Sequence, residues 1–162
     1  PLPNLRKVMF SSGYSEGWAL YAEQLADELG MYDEDPIGRI GYMWATLLRA
    51  SRLVADTGIH AQRWSRAKAI EWMVTYGGVP RSMAVNEVER YCVWPGQACS
   101  YMVGKSTWLE SRDRAKSALG TLFDIREFHA ATIAVGSVPL AVLNDVVDKY
   151  IAEARGGRRK AI

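Results

Sequence analysis

The sequence has few of the residues from which metal and redox sites are usually built. Its 162 residues contain two cysteines and two histidines, with no glycine-rich phosphate loop and no G-x-S-x-G motif. The histidines, His60 and His129, are too far apart for the helical pair that binds zinc. Cys92 and Cys99 are seven residues apart, which is about 10 Å along a helix, so we predict free, buried thiols and no disulfide.

Charge of one sign and long apolar runs are also lacking. The net charge is +2, from 20 basic and 18 acidic residues, which excludes the strong positive field that attracts nucleic acid or anionic lipid. No apolar run approaches the roughly 18 residues that cross a bilayer, and the sequence shows no signal-peptide pattern. We therefore expect neither a nucleic-acid nor a membrane partner, and the sequence carries no marker of its compartment.

The sequence does contain clear signals for helix ends. With 49% hydrophobic residues the chain can bury a core, and no segment alternates with the period of two that is typical of strands. N-cap residues, prolines and glycines predict about seven helices, over residues 15–30, 36–58, 65–78, 82–94, 96–119, 124–136 and 139–156. We predict a single all-α, bundle-like domain over residues 1–157, followed by a frayed basic tail over residues 158–162.

A polar stripe crosses the second predicted helix. Arg49, Arg52, Asp56 and His60 follow one another at steps of three and four residues, which places them on one helix face. Asp56 and His60 are spaced to form a hydrogen bond that would orient the imidazole. Two interpretations stay open: a solvated ladder of ion pairs, or a row facing a cavity, in which the arginines bind a carboxylate.

Two further groups of polar residues are candidates for a site. Glu16 and Glu23, seven residues apart, share one face of the first helix; a solvated face, or attraction to the helix dipole for Glu16, would also explain them. Tyr101 lies three residues before Gly104, whose missing side chain permits a close approach. The Tyr101 hydroxyl either stabilises a developing oxyanion or is satisfied inside the core.

Residues 15–23, with the sequence S-E-G-W-A-L-Y-A-E, resemble the E-G-W-A-L-Y-A-E signature of the bacterial "domain of unknown function 885" family. Blocks at residues 52–60, 90–101 and 123–129 agree with the same family in order and spacing. That family is similar to the helical zinc metallopeptidases of the gluzincin type, such as the Taq-type carboxypeptidases and the thimet-oligopeptidase group. The resemblance therefore implies a hydrolase that acts on peptides.

The resemblance also implies roles for single residues. In the related peptidases, zinc is held by two histidines of a His-Glu…Pro-Gly-His-His motif and by a glutamate on the next helix, which Glu16 matches. Glu23 would orient a ligand, as Asp56 would do for the His60 ring. Tyr101 matches a tyrosine that stabilises the tetrahedral intermediate. His60 is a second candidate catalytic residue, and Arg90 and Arg52 are candidates for binding the substrate.

The His-Glu…Pro-Gly-His-His motif, with its general base, is absent from these residues. We therefore expect the C-terminal part of a zinc-dependent metallopeptidase-like protein, inactive alone, with zinc absent or weakly bound. An upstream portion or a partner chain would supply the histidines. The alternative is a shortened, non-catalytic scaffold that binds a peptide, a small anion or a partner protein. In that case apolar residues near the N-terminus would form the interface of a homo-oligomer or of a complex with a partner protein, namely Leu2, Leu5, Val8 and Phe10.

Overall fold

A computed structural model describes residues 4–157 of the chain, and every regular element within them is helical. The α-helices are α1 (Asn4–Val8), α2 (Ser12–Glu28), α3 (Pro36–Gln62), α4 (Arg66–Thr75), α5 (Arg81–Val93), α6 (Ser100–Leu119), α7 (Ile125–Ile133) and α8 (Leu140–Arg155). Short 3-10 turns span Gln97–Cys99 and Gly120–Leu122. The all-α prediction is confirmed. Leu2 and the tail 158–162 lie outside the described residues, and the structure does not describe the side chain of Leu5.

Single capping residues set several helix ends. Asp35, Ser65 and Asp124 each accept a hydrogen bond from a backbone N–H in the first turn of the helix that follows; the predicted caps Ser65 and Asp124 are confirmed. The predicted start at Ser82 is wrong, because α5 begins at Arg81 directly after Pro80. The predicted start at Ser15 is also wrong, since α2 begins at Ser12.

A first hydrophobic cluster joins α2, α6, α7 and α8 around Trp108, which is fully buried. The Trp108 ring lies 5.2 Å from the Tyr14 ring and 5.9 Å from the Tyr21 ring. The two helices α2 and α6 cross so closely that a Cβ atom on Gly17 would lie 2.5 Å from Gly104 Cα. Only glycine fits at such a crossing, and it fixes the position of the start of α6.

A second hydrophobic cluster joins α3, α4 and α5 around Met73 and Tyr91. The chain leaves α5 at Trp94 and bends through Gly96, whose φ of 79° is favourable for glycine. The backbone N–H of Gly96 donates to both carboxylate oxygens of Asp56, at 3.1 and 3.0 Å. This contact fastens the bend to α3 and brings the first turn of α6 against the middle of α3.

The cysteines differ in part from the prediction. Cys92 and Cys99 are both free, as predicted. Cys99 is half-buried but Cys92 is exposed, so the prediction of a buried thiol is wrong for Cys92. Its neighbour Tyr91 faces the core, and the next residue along a helix is turned about 100° away.

Candidate functional site

Three arginines gather where α3, α5 and α6 meet. Two of these arginines are on α3 and one is on α5, and one carboxylate and two tyrosines lie beside them. We call this group the arginine cluster, defined by Arg49, Arg52, Glu87, Arg90, Tyr91 and Tyr101.

One carboxylate oxygen is the shared acceptor of the arginine cluster. Glu87 Oε2 accepts a hydrogen bond from Arg90 Nη2 at 3.1 Å and one from the Tyr91 hydroxyl at 3.0 Å. Arg52 Nε forms an ion pair with the same oxygen at 3.3 Å. Burial, followed by the charge of Glu87, raises the pKa of Tyr91, so its hydroxyl keeps the proton that it donates.

Arg52 lies between two aromatic rings. Its guanidinium carbon is 4.5 Å from the centroid of the Tyr101 ring and 6.0 Å from that of Tyr91. The guanidinium carbon of Arg49 is 5.9 Å from the Tyr101 ring. These are cation–π distances, and Arg52 is only 6% exposed. The structure therefore excludes a solvated ladder as the explanation of Arg52.

Asp56 and His60 do not form the hydrogen bond that their spacing permits. Asp56 is 2% exposed and accepts from Gly96. The exposed His60 places Nε2 3.0 Å from the carbonyl oxygen of Tyr91. Each side chain thus has its partner on another element, and together they hold α3 against α5 and the bend. No hydrogen bond joins His60 to Tyr101 in the described part of the chain.

The side chain of Glu16, on α2, is half-buried and makes no hydrogen bond or ion pair with any described residue. Because α2 begins at Ser12, Glu16 stands beyond the first turn, where the helix dipole has little effect. It precedes Gly17, which packs on Gly104, and Tyr101 lies three residues before Gly104 on α6. The helix crossing therefore brings Glu16 and Tyr101 to the same end of the α2–α6 interface.

Glu23 continues the face of Glu16 toward a buried cation. Lys105 is 6% exposed, and burial lowers its pKa, while the charges of Glu23 and Glu28 act in the opposite direction. Burial also raises the pKa of Tyr42, and Glu23 contributes to that rise. Glu23 thus belongs to an electrostatic network between α2, α3 and α6.

A complete metal site is not formed by the described residues, which contain no group of three or more His, Cys, Asp or Glu side chains arranged to hold an ion. His129, the second histidine, lies 2.7 Å from the hydroxyl of Tyr21 through Nε2. Glu16, the predicted zinc ligand, therefore belongs to no such group within residues 4–157, and its role stays a prediction.

Sequence reasoning missed Glu87, the centre of the arginine cluster. Its spacing of three residues to Arg90 and four to Tyr91 is the spacing at which helical side chains interact, and it could have identified this acceptor. Three cavities lie elsewhere, with volumes of about 450, 400 and 380 Å³, and none of the three is lined by a predicted site residue.

The fold and the site define a helical domain that carries a polar site at the junction of its two hydrophobic clusters. The model of a family of bacterial proteins of unknown function (DUF885) matches residues 1–147. The chain belongs to this family, which confirms the resemblance of residues 15–23 to its signature; the similarity to zinc metallopeptidases stays a prediction.

A solved structure is similar to this chain: the "putative lipoprotein from Colwellia psychrerythraea", with 48% sequence identity and a TM-score of 0.85. The match covers 88% of this chain and 24% of the Colwellia chain. This chain therefore corresponds to about a quarter of the length of the Colwellia chain. No curated protein matches the chain. Within residues 4–157, no helix is both long and apolar enough to cross a membrane.

Proposed function

We propose that the chain is the C-terminal part of the catalytic domain of a zinc-dependent, peptidase-like hydrolase that acts on peptides. The observation that carries the proposal is the free carboxylate of Glu16, which adjoins the tight crossing of α2 and α6 at Gly17 and Gly104. Its oxygens are not among the buried side-chain atoms that lack a partner, so they stay accessible to a ligand. An ionised carboxylate in such a position can bind a metal ion.

Glu16 can supply one oxygen ligand to zinc, and the other ligands belong to chain outside these 162 residues. A match that covers 24% of the Colwellia protein is consistent with that division. Bound zinc would polarise the scissile carbonyl and activate a water. The Tyr101 hydroxyl makes no hydrogen bond with a described residue, so it is free to donate one to the developing oxyanion.

Two further residues of the proposal, His60 and Arg90, bind the substrate. His60 uses Nε2 for the Tyr91 carbonyl, so its Nδ1 is free for the substrate backbone. The side chain of Arg90 is 36% exposed, against 7% for Arg52. Arg90 is therefore more accessible to an incoming peptide than Arg52.

The test begins with the gene. We expect the reading frame upstream of the Pro1 codon to encode a His-Glu…Pro-Gly-His-His segment, and the extended protein to bind about one zinc per chain. Glu16→Gln in that protein should lower the zinc content measured by elemental analysis, whereas Glu34→Gln, at an exposed position, should not. Full zinc occupancy in Glu16→Gln, or stoichiometric zinc in the 162-residue chain alone, would overturn the proposal.

A non-catalytic binding scaffold is the second candidate. Val8 and Phe10, at the end of α1, are 80% and 71% exposed, and exposed apolar side chains of this size favour a contact with another chain. If they join two copies, light scattering will show a dimer that Phe10→Ser converts to a monomer. If the unchanged chain is already a monomer by light scattering, the proposed interface between two copies is ruled out.

A further inference from the structure

The arginine cluster contains more positive charge than its own carboxylate neutralises. The cluster contains three guanidinium groups and the single carboxylate of Glu87, which contacts two of them, Arg52 and Arg90; the count leaves two positive charges. Arg49 has no acidic partner and donates only to the Ala45 carbonyl of its own helix, at 3.3 Å. The nearest further acid along α3, Asp56, directs both oxygens to Gly96.

The cluster also contains hydrogen-bond donors that nothing accepts. Four buried nitrogen atoms have no partner among the described residues: Arg49 Nε, Arg52 Nε, Arg52 Nη2 and Arg90 Nε. Arg52 Nε is close to Glu87 but is too poorly aligned for a hydrogen bond. The side chain of Arg52 is only 7% exposed, so these nitrogens have little contact with bulk solvent. Buried charged donors without acceptors are rare and costly in folded proteins.

We infer that the arginine cluster is a carboxylate-binding site, centred on Arg52 and bordered by Arg49, Arg90 and Tyr101. A carboxylate has two oxygens with about four lone-pair positions, and it would supply the acceptors that the guanidinium nitrogens of these arginines lack. The planar guanidinium fork matches a carboxylate in two hydrogen bonds. The Tyr101 ring, 4.5 Å from the guanidinium carbon of Arg52, holds that fork in place.

The carboxylate can come from the C-terminus of a peptide or from an acidic side chain, since both present the same group. Zinc takes no part in this site. A failure of carboxylate binding would therefore leave the proposed zinc chemistry standing, and a failure of zinc binding would leave the carboxylate site standing.

The test is calorimetric titration of the 162-residue chain at low ionic strength. The probes are N-acetyl-trialanine with a free carboxyl end, its neutral C-terminal amide, the amide of N-acetyl-Ala-Glu-Ala, and inorganic phosphate. We expect the free acid to bind with a Kd of about 1 mM or tighter, and the neutral amide to bind at least about tenfold more weakly. Equal binding of the acidic amide would identify any carboxylate as the ligand, and weaker binding would identify the peptide C-terminus.

A matched pair of variants on α3 locates the site. Arg49→Gln removes a cation that makes no ion pair, so the variant should fold, and it should bind the free acid about tenfold more weakly. Arg39→Gln removes an exposed arginine paired with Asp27 and should change binding less than about twofold. Equal binding of acid and neutral amide, tighter binding of phosphate, no saturable heat up to about 10 mM peptide, or unchanged binding in Arg49→Gln would each overturn the inference.

Discussion

At the scale of single residues, the crossing of α2 and α6 depends on two glycines, Gly17 and Gly104, because their backbones are too close for a side chain. A Cβ atom at Gly17 would meet the Gly104 backbone at 2.5 Å, and backbone cannot move aside as a side-chain tip can. We predict that Gly17→Ala lowers the free energy of unfolding by about 1–3 kcal/mol, the usual cost of overpacking. Urea denaturation measures it.

Gly41 provides the control for this prediction. It lies within α3, and a Cβ atom there would meet nothing within 4 Å. Gly41→Ala should therefore raise the free energy of unfolding by about 0.5–1 kcal/mol, because alanine restricts the unfolded chain and favours a helix. Equal effects of Gly17→Ala and Gly41→Ala would show that the crossing is looser than described.

His129 should make stability depend on pH. Burial, followed by the charge of Arg112, lowers the pKa of His129 below its ordinary 6.5. The unfolded chain therefore binds the proton more readily than the folded one. The contribution of neutral His129 to the free energy of unfolding is therefore complete above pH 6.5. It is lost as the pH falls below 6.5 toward the pKa of His129 in the folded chain.

Urea midpoints measured between about pH 7.5 and 5.5 test this dependence. His129→Gln keeps a hydrogen-bonding group for the Tyr21 hydroxyl but does not titrate, so its midpoints should fall less over the same range. The ion pair of Glu28 with Arg112 does not interfere, because the pKa of Glu28 is lowered from 4.5 and it titrates below this range. An identical slope in His129→Gln would contradict the assignment.

At the scale of elements, the contact between Asp56 and the bend at Gly96 positions α6 against α3. Asp56→Ala leaves the Gly96 N–H without its acceptor, and we predict a loss of about 1–3 kcal/mol in the free energy of unfolding. Asp145→Ala, at an exposed position on α8, should stay within about 0.5 kcal/mol of the unchanged chain. Urea denaturation of both variants measures these changes. If Asp56→Ala lowers the free energy of unfolding no more than Asp145→Ala does, the structural role of the Asp56–Gly96 contact is contradicted.

The sequence predicted the starts of α4 and α7, where one side chain caps the helix, and it failed at the start of α2, where none does. The side chains of Ser65 and Asp124 accept hydrogen bonds from backbone N–H groups, so the local sequence was enough to identify those starts. Ser11, the N-cap of α2, makes no side-chain hydrogen bond, and nothing in the local sequence separates it from Ser15. The apolar positions of α3 predicted a helix but not which face is covered, since Met43 and Leu47 are exposed.

The candidate site was predictable only in part, for a similar reason. Helical spacing placed Arg49 and Arg52 on one face of α3, which the structure confirms. It could not place Tyr101 against them, because that contact depends on the bend at Gly96 and on the crossing at Gly104. Contacts between distant elements depend on packing that no single helix encodes.

At the scale of the whole molecule, the two hydrophobic clusters share few contacts. The first joins α2, α6, α7 and α8, and the second joins α3, α4 and α5. Contacts of α3 with α2 and α6 are much sparser than those between α2 and α6. The arginine cluster lies at this junction, so its geometry depends on both halves. The prediction of a single domain over residues 1–157 stays a prediction.

Met73→Ala tests whether the two clusters unfold as one unit. Met73 is fully buried in the second cluster, and its truncation should cost about 2–5 kcal/mol. Because few contacts join the clusters, we predict that native-state hydrogen exchange will speed up in α4 and α5 while the amides of α7 and α8 keep their protection. Equal loss of protection in all four helices would instead show one cooperative unit, in which the sparse contacts at the arginine cluster suffice to couple the halves.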